Sequence, residues 1–468
     1  MMIAWPAKAD EIAELKAEMK AQKVKIKVLE THLLQLEQKK IHSQAAAAPA
    51  PGPIVTEEEA PPVAPPFWNP LVSGRPVHIV ETAGTEITMY GLVEATISGV
   101  TNAAPNGDSK LGFQTAWFSG NRWGLYGKTV MFPEYGLNFI ARLESEFESP
   151  TGNMDTNGVL FNRDAWIGFE SEFLGKLTFG RQNTLPRDFS NIWGDPYTSA
   201  SLSTAEGGYT NVNNFKQLIF YSGGGSGAHG YGDTRLDNGI VWKKMFDSGL
   251  VLGAAYAFSD GNGPGGPNGS GTIPGAGFGR GSVQSAAIGY NGGPFHISAF
   301  WNHTNVLEAV NGVYTNNGLS HMSEGIGGNY EFDFFGLGVL RWNAGYIHYT
   351  ADQGFVGTRT DNAVTTSIKF TPPGLFDYEV GWQDFYAHNA AFTPGGFTFN
   401  PYQDASGATD AGSGSRMTVY GSIIYHPVPT IDIYLAGDYL RTTGEYIASQ
   451  ANGHNNATEV ATGVRWKF

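Results

Sequence analysis

Residues 457–468 read ATEVATGVRWKF, and residues 430–441 read TIDIYLAGDYLR. In the first stretch Val460, Val464, Trp466 and Phe468 fall on one side of an extended chain, with Glu459, Gly463, Arg465 and Lys467 on the other. In the second, Ile431, Ile433, Leu435 and Tyr439 oppose Asp432, Tyr434 and Asp438. A period of two specifies a strand with one greasy face and one wet face. Working back along the chain, Leu250, Leu252, Ala254, Tyr256 and Phe258 oppose Val251, Gly253, Ala255 and Ala257 in the same way. Sixteen such segments fit between about residue 87 and Phe468.

The connections sort by length. Pro133-Glu134-Tyr135, Asp247-Ser248, Asn291-Gly292-Gly293, Pro372-Pro373-Gly374 and Pro427-Val428-Pro429 are tight. Between them lie long stretches near 100–119, 183–233, 260–281, 305–321 and 389–415. Alternation of short and long links is what an up-and-down membrane barrel requires, with tight turns at one rim and long loops at the other. A sandwich or propeller has no reason to sort its loops by parity. Phe132, Tyr135, Phe173, Phe246, Phe332, Phe376 and Phe468 gather beside the tight turns, as expected of an aromatic girdle at one interface. The fold expected over 86–468 is therefore all-β, a sixteen-stranded antiparallel transmembrane β-barrel with both ends at the short-turn rim.

Composition agrees. Only 15% of residues are charged, against about 25% in soluble domains, while Gly numbers 63 and aromatics make up 13%. No run of eighteen apolar residues occurs, so a helical membrane span is not expected. The chain has no cysteine, hence no disulfide frame or thiolate metal site, and its net charge of −14 argues against nucleic acid as a partner.

The amino-terminal part is different. Over 10–43, Ile12, Leu15, Met19, Ile26, Leu29, Leu33 and Leu36 recur at heptad spacing with one polar seam residue, Gln22. This pattern predicts an α-helical coiled coil, a rod of roughly 40 Å. Residues 44–85 are Ala- and Pro-rich at first and read as an extended linker. Residues 1–9 end in Ala7-Lys8-Ala9, the small-x-small form of a signal-peptidase site. They read as the remnant of a signal peptide, with the mature chain beginning near Asp10.

Four motifs carry a resemblance. GNRWGLYGK (120–128) resembles the second strand of the general porins of Gram-negative bacteria, and LFNRDAWIGFE (160–170) with GKLTFGRQNT (175–184) resembles their fourth and fifth. The ending GVRWKF resembles their last strand, so that Phe468, Trp466 and Val464 correspond to the signal read by the barrel-assembly machinery. The coiled coil resembles the extension of dicarboxylate- and phosphate-type porins. The resemblance implies a homotrimer of outer-membrane barrels passing small hydrophilic solutes. It also implies a long loop 3, here 183–233, folded into the lumen. The chain lacks the Pro-Glu-Phe-Gly-Gly stretch that enterobacterial members carry in this loop, and Leu92 stands where some members place a pore lysine.

By family correspondence Arg122 and Arg163 belong on the pore wall. Alternation adds Arg142, Glu144 and Glu146, because Leu137, Phe139, Ala141 and Leu143 take the lipid side. An arginine facing mid-bilayer lipid would cost about 2–4 kcal/mol. Arg181 is assigned to the wall as well, its side depending on where the fifth strand ends. Asp188, Asp195 and Glu206 of the constriction loop would face the wall arginines and set a field across the lumen. No catalytic, cofactor or metal site is expected: His296, His303, His321 and His348 lack ligand spacing. Glu144 and Glu146 would mimic a glycosidase dyad only with a substrate cleft, which nothing marks. Three readings follow. The first is an outer-membrane diffusion channel in contact with lipid and lipopolysaccharide. The second is a channel selective for small anions such as dicarboxylates or phosphate. The third is a cell-wall tether in which a periplasmic coiled coil grips peptidoglycan. An outer-membrane hydrolase would need a nucleophile–base pair, and none is seen.

Overall fold

The computed structural model describes residues 76–82, 84–118, 120–190, 235–258, 282–310, 313–353, 357–393, 396–397, 410–445 and 453–468. The segment expected as a coiled coil and most of that expected as a linker lie outside these residues, as do Asp195 and Glu206.

Sixteen strands close into one antiparallel barrel. They are β1 (Thr85–Val100), β2 (Asn121–Phe132), β3 (Leu137–Phe147), β4 (Asp164–Ser171), β5 (Gly175–Asn183), β6 (Arg235–Met245), β7 (Leu250–Ala257) and β8 (Val283–Gly292). The second half comprises β9 (Phe295–Val310), β10 (Val313–Asp333), β11 (Val339–Asp352), β12 (Thr358–Thr371), β13 (Phe376–Thr393), β14 (Asp410–Val428), β15 (Ile431–Thr442) and β16 (Asn456–Lys467). Each strand pairs with its neighbours in sequence, and β16 returns to β1 in the register Glu459↔Val100 to Lys467↔Leu92. Phe468 and Gly91 exchange backbone hydrogen bonds of 2.8 and 3.0 Å and finish the seam. Closure removes the free edges that an open sheet of this length would expose, which is the condition for crossing a membrane.

Alternation is visible as burial. Along β16 Val460, Val464 and Trp466 are about half exposed at 55%, 48% and 49%, whereas Glu459, Arg465 and Lys467 are buried. On β15 Ile433, Leu435 and Tyr439 are outside and Asp432, Tyr434 and Asp438 inside. The apolar side chains thus lie on the outer surface and the ionised ones within, the reverse of a soluble domain. Tyr135, Phe173, Phe332 and Phe376 are exposed beside the short turns, where the girdle was expected. The tight turns use left-handed glycines where the chain must reverse, as at Gly136 (φ 58°) and Gly249 (φ 85°).

Three short strands supplement the ring. Val77–Glu81 folds back on the start of β1 in a segment read as linker. Lys110–Gln114 pairs with the upper half of β1, and Gly396–Phe397 with the end of β13. The stretch 305–321, expected as a loop, instead continues the β9–β10 ladder out to Val310↔Val313. Above the membrane both faces of a hairpin meet water, so alternation no longer marks it.

The interior is not a single apolar core. A short helix α1 (Leu185–Ser190) follows β5 and enters the lumen. Leu185 and Phe189 lie with Val251, Ala287 and Phe300 in one buried apolar cluster. The Ser298 hydroxyl donates to the Phe189 carbonyl at 2.6 Å. Gly253 makes room, since a Cβ there would lie 2.8 Å from the Phe189 ring. The beginning of loop 3 therefore does turn inward and rest on the wall of β7–β9.

Candidate functional site

The inner rows of β1–β4 carry the densest set of ionised groups. Register places Leu92, Arg122 and Glu146 on one row, and Tyr90, Gly124, Glu144 and Asp164 on the next; Tyr126, Arg142 and Trp166 form the third. Gly124 lacks a side chain where Tyr90 crosses β2; a Cβ there would also come within 2.8 Å of the Leu143 carbonyl. The Tyr90 hydroxyl can therefore reach β3, where it donates to Glu144 Oε2 at 2.8 Å and accepts from Arg142 Nε at 2.6 Å.

Around that link the charges interleave. Arg142 pairs with Glu144, and its Nε lies 3.1 Å from Asp164 Oδ2. Arg163 pairs with both Glu144 and Glu146. The Arg122 Nε donates to the Gly120 carbonyl at 3.0 Å. All six charged side chains are buried, Arg122 to 1% exposure. A guanidinium offers five donors in a planar fork, so arginine rather than lysine suits a wall where one cation must serve several carboxylate oxygens. The acids facing the wall arginines are thus their strand neighbours Glu144, Glu146 and Asp164.

The loop acids are placed differently from expectation. Asp188, on α1, is ion-paired with Lys243 of β6 and accepts from Asn183 Nδ2 at 2.8 Å. Asp195 and Glu206 lie outside the described residues. Arg181 needs a correction. Its register partner is Ala165, on the outer row with Leu143, and it shares the parity of Leu177 and Phe179; opposite it β6 carries one extra residue between Leu236 and Gly239. Arg181 sits at the long-loop end of β5, held by Asp237 at 2.5 Å and the Asn162 carbonyl at 2.7 Å, not on the inner wall.

Sequence reasoning did not single out a second ionised cluster, inside the short-turn end of β12–β16. Lys369 lies 2.9 Å from Asp377. His426 bridges Asp377 (3.1 Å) and Asp432 (2.8 Å), and Asp432 also binds Arg465 (2.7 Å) and Lys467 (3.0 Å). Strand parity alone puts Asp432, Arg465 and Lys467 on the wet face; what it lacks is which strands are neighbours. Among the described residues no group of His, Asp and Glu is arranged to hold a metal ion.

A closed sixteen-stranded barrel with an apolar exterior, a charged interior and an inward-turned third loop is the architecture of a membrane channel. Comparison with known proteins points the same way. Residues 79–468 match the family model of the Gram-negative porins. An outer membrane porin protein of Bordetella pertussis is 28% identical over 299 residues, 60% of this chain and 69% of that protein. The anion-selective porin of Comamonas acidovorans superposes with a TM-score of 0.57 at 19% identity, covering 82% of this chain and 100% of that one. OmpF of Salmonella typhi, solved with daunomycin, gives 0.50 at 14% identity, covering 84% and 100%. The chain belongs to the Gram-negative porin family and forms a channel of the bacterial outer membrane.

Proposed function

We propose that the lumen passes small hydrophilic solutes and ions by passive diffusion, with weak charge selectivity set by the inner wall of β1–β4. The observation that carries this reading is the interleaving of Arg122, Arg142 and Arg163 with Glu144, Glu146 and Asp164. Three guanidinium groups beside three carboxylates leave the wall nearly neutral in sum and strongly polarised locally. Such a wall orients dipolar solutes and turns away apolar ones, which cannot replace the ordered water they displace. A pore asks these groups for position and charge, and for no bond-making step.

A second reading, selectivity for small anions, has its own support. At the short-turn mouth Lys369, His426, Arg465 and Lys467 gather on Asp377 and Asp432, a site an anion entering the pore would meet. The anion preference in the name of the Comamonas relative is consistent with it. Reversal potentials of the reconstituted channel in a KCl gradient separate the two. A small potential supports weak selectivity. A strong anion bias that disappears in Arg122→Gln/Arg163→Gln supports the second. A bilayer that stays silent with folded protein sinks both.

We further infer three barrels per assembly, closing in conductance steps of three, with lipopolysaccharide against the outer face. The heptad segment 10–43 would stand in the periplasm and grip peptidoglycan. Retention on cell-wall material by the full chain, lost on removing residues 1–70, tests the tether. Val464, Trp466 and Phe468 would serve as the recognition signal for barrel assembly.

A further inference from the structure

The ladder between β1 and its partner skips. Leu92 pairs with Arg122, while Thr96 pairs with Gln114 of the short strand Lys110–Gln114. Between these pairs three residues of β1 face seven on the other side, and the surplus cannot lie in the plane of the sheet. Two of them turn inward. Trp117 and Phe118 are each 1% exposed and pack with Tyr420, Ile424, Tyr434 and Ala461 on the inner face of β14–β16. The Phe118 ring meets Tyr434 edge-on at 4.9 Å, and the Arg465 guanidinium lies 4.8 Å from its centroid.

A buried carboxylate holds the inward end of this bulge. Glu94 is 0% exposed. Its Oε1 accepts from the backbone N–H of Trp117 (2.6 Å) and of Phe118 (3.1 Å) and from the Tyr434 hydroxyl (2.7 Å). Two successive amides converging on one carboxylate oxygen form a strong, charge-assisted anchor. Asn121 ties the other end: its Oδ1 accepts from the Glu94 N–H and its Nδ2 donates to the Thr115 carbonyl at 2.8 Å. The bulge closes at Gly120, whose carbonyl receives Arg122 Nε. In a ring of sixteen, β16 stands opposite β8, and α1 rests on β7–β9. The bulge and the helix therefore rest against facing walls of the lumen.

We propose that Glu94 is a positioning residue that holds Trp117 and Phe118 in the lumen as a second narrowing element opposite loop 3, and through Gly120 fixes the head of Arg122. Pore width then depends on a buried carboxylate, and the placement of one wall arginine on the bulge that Glu94 and Asn121 hold together. The inference rests on the barrel lumen being the conducting path.

Single-channel recording and liposome swelling with sugars of increasing size test it on the full-length protein. Glu94→Ala, and separately Trp117→Ala/Phe118→Ala, should raise conductance about 1.5-fold, because large aromatic side chains leave a section that limits ion flux. Both should admit a larger sugar. Glu94→Gln keeps an acceptor at Oε1 and should restore the native conductance and size limit. Glu94→Ala folded by its heat-modifiable mobility yet native in both readouts overturns the proposal, as does Glu94→Gln opening as wide as Ala. Should Glu94→Ala fail to fold, the aromatic double variant decides alone, and native conductance there is equally fatal. A wild-type protein that does not conduct overturns the channel reading and this inference with it, whereas a conducting wild type with unchanged variants overturns this inference alone.

Discussion

The Phe468 ring lies directly on Gly91, across the seam that closes the barrel. A Cβ at position 91 would come 2.8 Å from Cε1 of the ring and 2.9 Å from the Arg122 carbonyl. The absent side chain is what lets the last residue fold against β1, with the Trp466 ring tilted over it at 4.7 Å between centroids.

Gly91→Val should therefore weaken closure. Overpacking of this kind costs about 1–3 kcal/mol, and the backbone carbonyl on one side cannot move aside. A lower urea midpoint and a smaller heat-modifiable fraction are expected; an unchanged midpoint would show that the seam tolerates a bulky neighbour.

Glu144 is the carboxylate that Arg142 and Arg163 share. Glu144→Gln removes its charge while keeping an acceptor for Tyr90. Breaking a buried pair on one side costs about 3–5 kcal/mol, so a clear loss of stability is expected. The remaining positive excess should shift the reversal potential toward anions, read in a KCl gradient.

Gly253 leaves space for the Phe189 ring against the wall. Gly253→Leu should push α1 toward the centre of the lumen and lower single-channel conductance. Ser298→Ala, which removes the donor to the Phe189 carbonyl, should lower it less or release the helix. Equal conductance in Gly253→Leu and wild type would mean that α1 does not border the ion path.

In the loop after β3, burial raises the Glu148 carboxyl to about 7, with Asp155 and Glu146 adding repulsion. Asp155 is raised for the same reasons, burial first and Glu146 second. A carboxyl raised in the folded state stabilises its surroundings below its unfolded value and ceases to do so as pH rises through its folded value. The loop 148–158 should thus be best protected in mild acid and loosen between about pH 5 and 7, as Glu148 ionises. Hydrogen exchange of this loop across that range measures it. Glu148→Gln should flatten the response, and a protection factor (exchange relative to the intrinsic rate at each pH) that does not change with pH in the native protein would contradict the assignment.

Much of the fold was legible because lipid outside and water inside impose strict alternation, and because the two rims demand loops of different length. Strands such as β15 and β16 could be read residue by residue for that reason. What failed were places where that demand lapses or register decides. The outer part of the β9–β10 hairpin has no lipid side to mark it. Arg181 shares the parity of Leu177 and Phe179 on β5 and so takes the outer row; its partner Asp237 lies where β6 carries an extra residue between Leu236 and Gly239, and no count of residues locates a bulge. Asp188 finds Lys243 because α1 turns toward β6, a choice made in three dimensions. The bulge at Trp117 and Phe118 left no local signal: it exists only as the mismatch between two pairings of β1.

Glu94 takes one of its three hydrogen bonds from Tyr434, 340 positions further along the chain. The gauge of the channel is consequently written at the start of the barrel and read only at its end. A polypeptide halted before its final hairpin would lack that donor along with its closing edge, leaving the bulge without its far anchor. Calibre and completion are then one event, and an unfinished barrel has no defined bore to leak through.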